Sequence, residues 1–144
     1  VFDAATCTGS VDSTGFAVQA LVTVGAPAAT AAAADAGRWL ARRQHPNGSF
    51  SGNGARNANS TALAAQALTA LGRAGAAGEA RHFLRSLQVG CAGKASVRGE
   101  VRYDRAGTGD RGRATSQAVP ALARATLADI SNDGSARRLP RLAC

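Results

Sequence analysis

The chain has 144 residues but no methionine, a single lysine (Lys94), one tryptophan (Trp39), one tyrosine (Tyr103) and four phenylalanines. So few rings cannot form the aromatic ladder on which single-stranded bases stack, and nucleic acid is not an expected partner. No run of about 18 strongly apolar residues occurs, which argues against a membrane-spanning helix. The alanine-rich stretch 26–36 is weakly hydrophobic and is broken by Pro27 and Asp35. Only three cysteines are present, Cys7, Cys91 and Cys144, with no CxxC pair and only His45 and His82 to assist them. That set argues against a zinc site, and no cofactor is expected. One disulfide with one leftover thiol fits a secreted or cell-surface protein, whereas three buried thiols would fit a cytosolic one. A translated product needs an initiator methionine, so the chain is expected to be a processed product or a portion of a longer or multi-chain assembly.

Arginine and alanine are abundant. The formal net charge is +8 and is uneven along the chain. Residues 1–72 carry four arginines against three aspartates, and residues 73–144 carry thirteen basic against six acidic groups. A basic half suits an acidic polymer. Scattered arginines beside abundant alanine and glycine, with no aromatic ladder, are better explained by a genome rich in GC.

The sequence repeats internally, and repeats decide the fold. The segment Ser13–Leu21 matches Ser60–Leu68 at an offset of 47, and the match continues to Gly25 and Gly72. A weaker third copy runs from Thr115 to Leu122. Between them lies a second kind of segment, in which residues 36–44 match residues 80–88 at an offset of 44. The two kinds alternate along a single domain, residues 1–144.

Each segment reads as a helix. Phe16, Ala17, Ala20, Leu21 and Val24 recur at the spacing of one helix face. Asp12 or Ser13, and Asn59 or Ser60, are suitable N-caps. Gly25 and Gly72 stand where a helix end needs a left-handed residue. The first kind is apolar nearly all round and reads as buried. The second keeps Trp39 and Leu40 on one side and Arg38, Arg42 and Arg43 beside them, as an outer helix does. Five helices are expected, near residues 13–25, 29–44, 60–73, 77–88 and 113–125, with no sheet beyond a short hairpin. Alternating inner and outer helices make the class all-α, with antiparallel hairpins arranged as a solenoid or part of an α/α toroid.

The turn after the first outer helix carries Leu40-x-x-x-Gln44-x-x-x-Gly48-x-Phe50. This resembles the QW motif of squalene-type cyclases, with Phe50 in the aromatic place. In physical terms, the glutamine bridges the outer helix's open C-terminus to the next turn, and the glycine permits that turn. The second copy departs from the pattern, with Gly99 eleven residues after Gln88 and Val101 in place of the aromatic. Over residues 10–125 the chain resembles secreted bacterial prenyltransferase and squalene-oxidase repeat proteins. The toroid they share is also that of the cobalamin-binding domain of intrinsic factor and transcobalamin.

The catalytic residues of that superfamily are missing here. There is no DxDD run, no aspartate-rich metal motif, no Asp-x-Cys and no Gly-Cys-Gly-Glu-Gln. The aromatics are also too few to line a carbocation cavity. The expectation is therefore a non-enzymatic binding or scaffold module. The alternatives are a partial isoprenoid-processing enzyme whose catalytic groups lie on another segment, and a basic module for acidic polymers. The resemblance places a ligand mouth at the N-termini of the inner helices, where Asp12, Asn59 and Arg113 stand near Phe50 and Tyr103. The ligand would be an apolar or cobalamin-like small molecule. The competing view is that these residues only cap helices and build turns. A toroid of this kind needs more hairpins than the chain provides, so another polypeptide or a second copy is expected to complete it. Cys7 precedes the first inner helix and Cys91 follows the second outer one, ends that antiparallel hairpins place together. A Cys7–Cys91 disulfide is expected, with Cys91–Cys144 as the other pairing.

Overall fold

The computed structural model describes residues 2–3 and 8–131. In chain order it holds β1 (Phe2–Asp3), β2 (Thr8–Gly9), α1 (Val11–Val24), α2 (Pro27–Arg43), β3 (Ser51–Gly52), β4 (Ala55–Arg56), α3 (Ala58–Ala70), α4 (Ala74–Leu87) and α5 (Arg111–Leu122). Short 3-10 turns lie at Ala95–Val97 and Leu127–Asp129. The five expected helices are all present. The strands form two antiparallel two-stranded ribbons, β1 with β2 and β3 with β4.

The helices begin one half-turn to a full turn earlier than the sequence suggests, and the reason is local. Ser10 and Asn57, rather than Asp12, Ser13, Asn59 or Ser60, are the N-caps of α1 and α3. Their side chains accept from Ser13 N–H at 3.3 Å and from Ser60 N–H at 2.8 Å. Asp110 does the same for α5 through Arg113 N–H, at 3.2 Å. At the other ends Gly25 and Gly72 are left-handed, at φ 68° and 67°. Gly72 closes α3 with bonds from Gly72 N–H to Thr69 O and from Arg73 N–H to Leu68 O. Such an end satisfies carbonyls the helix leaves open.

α3 packs between α1 and α5, α2 packs on α1, and α4 packs on α3 with a lighter contact to α5. The helices of the first repeat kind thus form one layer and those of the second kind the other. Every residue of α3 from Ala58 to Leu68 is buried except Asn59. α1 and α3 approach closely, since a Cβ on Gly15 would lie 3.0 Å from the Leu63 backbone. The core gathers Val18, Leu40, Phe50, Leu68, Leu84, Val101 and the inner alanines.

The incoming loops are tied to the inner layer in the same way twice. Phe50 N–H donates to Thr61 Oγ1 at 3.0 Å, and Val101 N–H to Thr115 Oγ1 at 2.9 Å. Thr61 and Thr115 are the same position of the repeat, so the third copy keeps the joint although its loop lacks the aromatic. Beyond α5 the chain turns back and its 3-10 turn rests on α1. There Leu127 N–H donates to Gln19 Oε1 at 2.8 Å. Among the described residues no helix is long and apolar enough to cross a membrane.

Candidate functional site

Three inner helices running the same way bring three N-termini to one end of the layer, where a cleft of about 270 Å³ opens. Asp12, Asn59 and Arg113 line it. In the repeat alignment all three stand two residues before the shared threonine (Thr14, Thr61 and Thr115). Phe16, Leu63 and Gln117 stand two residues after it, and they also line the cleft. Residues four apart share a helix face, so this one register points both positions of every copy at the same space. Tyr103 closes another side. Its carbonyl accepts from Ala58 N–H at 2.7 Å, which fixes it over the start of α3.

Four of the five ligand residues expected from the sequence, Asp12, Asn59, Tyr103 and Arg113, therefore meet. Phe50 does not join them. It is fully buried in the core, because its ring is drawn into the space between the helix layers. Gln117 and Phe16 are cleft residues that the sequence alone does not single out, although the repeat register carries the signal.

The displaced caps decide what Asp12 and Asn59 are free to do. Each is the second residue of its helix and neither makes the cap bond, which Ser10 and Asn57 supply. Four buried side-chain oxygens among the described residues have no donor: Asp12 Oδ1, Asn59 Oδ1, Gln66 Oε1 and Gln117 Oε1. Three of the four belong to residues on this cleft. A buried acceptor left unmade costs about 1–3 kcal/mol, so their clustering is unfavourable for a purely structural surface.

A larger groove of about 620 Å³ lies between the end of α2 and the β3–β4 turn. Arg42, Arg43 and His45 line it. The Arg43 guanidinium sits 4.2 Å from the centre of the Trp39 ring. His45 Nε2 and Ser51 Oγ are 2.9 Å apart. A hydroxyl beside an imidazole is half of a nucleophile–base pair, which also needs a third group to orient the ring. Among the described residues no carboxylate bonds to His45, and the contact ties β3 to the turn after α2. No three His, Cys, Asp or Glu side chains gather among the described residues.

Cys91 lies in an exposed turn after α4. Cys7 and Cys144, its two candidate partners, lie outside the described residues, so both disulfide pairings do as well. No family model, curated protein or solved structure matches the chain.

Proposed function

We propose that the chain is a non-catalytic, secreted binding or scaffold module, an arc of an α/α toroid of the prenyltransferase and squalene-cyclase repeat kind, with its ligand site at the inner-helix N-termini. The observation that carries this is the release of Asp12 and Asn59 from capping. Both residues line the cleft and each carries an unsatisfied oxygen, while Ser10 and Asn57 cap the helices. Two antiparallel hairpins and a fifth helix, the third of the inner kind, in alternating layers, support the arc. The test is a fragment screen against the isotopically labelled chain. Backbone amides of residues 12–16, 59–63, 103 and 113–117 should shift together. A screen in which no fragment moves them would refute the site.

The edges of the layer support a completing partner. α1 and α5 each have the central helix on one side only, and Phe16 and Val119 are about half exposed, at 47% and 54%. Apolar exposure at both edges suits docking of a neighbour. The expected neighbour is a second polypeptide or a second copy. Light scattering should show a mass above that of one chain, or a mass that rises with concentration. A monomer unchanged across concentration and stable alone would refute this part of the proposal. An acidic polymer has narrower support, namely the groove beside Arg42, Arg43 and His45.

A further inference from the structure

Resting on the cleft reading, we infer that the head group the cleft accepts is an ammonium, carried by a small molecule with an apolar body. Three residues of the cleft wall, one from each inner helix, each carry an oxygen that has no donor and is closed to solvent: Asp12 Oδ1, Asn59 Oδ1 and Gln117 Oε1. Asn59 and Gln117 can turn either end of their amides inward, but the Asp12 carboxylate can only accept. Asp12 thus sets the sign of the site.

Other ligands match this wall less well. An anionic head would meet the Asp12 carboxylate, which has no donor to give it. Calcium takes six to eight oxygens, and the wall has one carboxylate. An ammonium brings three N–H donors, which the three acceptors take once their side chains turn toward the cleft. Arg113 is the one cation on the wall. It is exposed to solvent, which screens it. The ion pairs of the described residues are Arg38–Asp35 and Arg111–Glu100, so Arg113 does not neutralise Asp12. Phe16, Leu63 and Tyr103 offer apolar surface to the rest of the ligand, and a tyrosine face also attracts a cation.

The experiment uses two probes of one shape and opposite charge, phenethylammonium and 3-phenylpropionate, titrated into the labelled full chain at fixed ionic strength. Phenethylammonium should shift the amides of Asp12, Asn59 and Gln117 saturably and bind roughly tenfold tighter than the carboxylate. Asp12→Asn should remove that preference, and Asn59→Asp, which adds a second carboxylate, should strengthen it. Both variants leave the Ser10 and Asn57 caps intact, and unchanged amide shifts far from the cleft would show that the fold is kept. Tighter binding of 3-phenylpropionate, or a preference unaffected by Asp12→Asn, would overturn the ammonium assignment while leaving the cleft as a ligand site. If neither probe moves the cleft amides at millimolar concentration, the ammonium assignment fails. The binding-module reading fails separately, only if the wider fragment screen is also silent.

Discussion

Gln44 Nε2 lies 2.8 Å from the carbonyl oxygen of Ala76, on α4, and 3.2 Å from that of Gly48. One amide thus joins the end of α2, the turn after it and the first turn of α4. Gln88, its counterpart one repeat later, makes only the bond to its own turn, to Gly99 O at 3.2 Å, and it is exposed. Gln44→Ala should therefore cost about 1–3 kcal/mol in urea unfolding, because two partly buried carbonyls lose a donor. Gln88→Ala should cost about 0.5 kcal/mol or less, since water replaces its bond. Equal losses would show that the bridge to α4 contributes nothing.

Gly48 supports the same turn with a backbone that few other residues adopt. Its φ is 81°, and a Cβ there would collide with the Glu79 carbonyl of α4. Gly48→Ala should destabilise the fold by at least about 2 kcal/mol, from strain and from separation of the turn and helix. The urea midpoint measures it, and a loss below about 0.5 kcal/mol, the range of a neutral surface change, would contradict the packing described.

Arg124 presents the opposite case. It follows α5 with φ 61°, where α1 and α3 have glycine. Ala125 N–H still reaches Pro120 O at 2.9 Å, so the left-handed end is made without a residue that favours it. Arg124→Gly should stabilise the chain by about 1 kcal/mol. It also removes a like charge beside Arg81, a buried arginine whose pKa is lowered by burial first and then by Arg124 and Arg85. A lower melting temperature in the variant would count against this account.

The 3-10 turn after α5 should be sensitive to acid. The Asp129 carboxylate accepts from Thr126 N–H and from Thr126 Oγ–H, both at 2.8 Å. The backbone bond first, and then the hydroxyl, hold its pKa below the ordinary 3.8. A depressed folded pKa means that the charged form stabilises the turn. The contribution is present above 3.8 and is lost as pH falls through the folded value. The Leu127 amide, bonded to Gln19, should shift over that acid range. Asp129→Asn should abolish the shift, and a persistent one would assign the transition to another group.

Peptide mapping without reductant should recover a Cys7–Cys91 cross-link. α4 ends at the same end of the helix layers at which α1 begins, and Cys7 stands only shortly before α1 in sequence. A Cys91–Cys144 peptide in its place would put the bridge on the C-terminal tail.

Most of the architecture is legible in the residues because its causes are repetitive. α3 carries no charged group, and a helix without a wet face is buried. The second kind of segment keeps its arginines to one side and lies outside. Helix starts are less legible, because Ser-Val-Asp-Ser and Asn-Ala-Asn-Ser each offer several capping side chains. The choice depends on how the preceding ribbon enters the helix. Phe50 is ambiguous for a related reason, since an aromatic near a cleft and one in the core look alike in sequence. Gln117 is hard to notice although Phe16 and Leu63 hold its place in the other copies, because a polar residue there breaks the visible similarity.

The burial of α3 has a consequence for motion. Ser60 through Leu68 are all closed off from solvent, and no polar stripe lets the helix stand once α1, α4 or α5 departs. Its amide hydrogens should therefore exchange with solvent only when the whole chain opens. The early part of α2, where Ala28, Ala31 and Ala32 are exposed, should exchange through local fraying. The central helix then acts as a common clock, and loss of either edge of the layer would be felt there first.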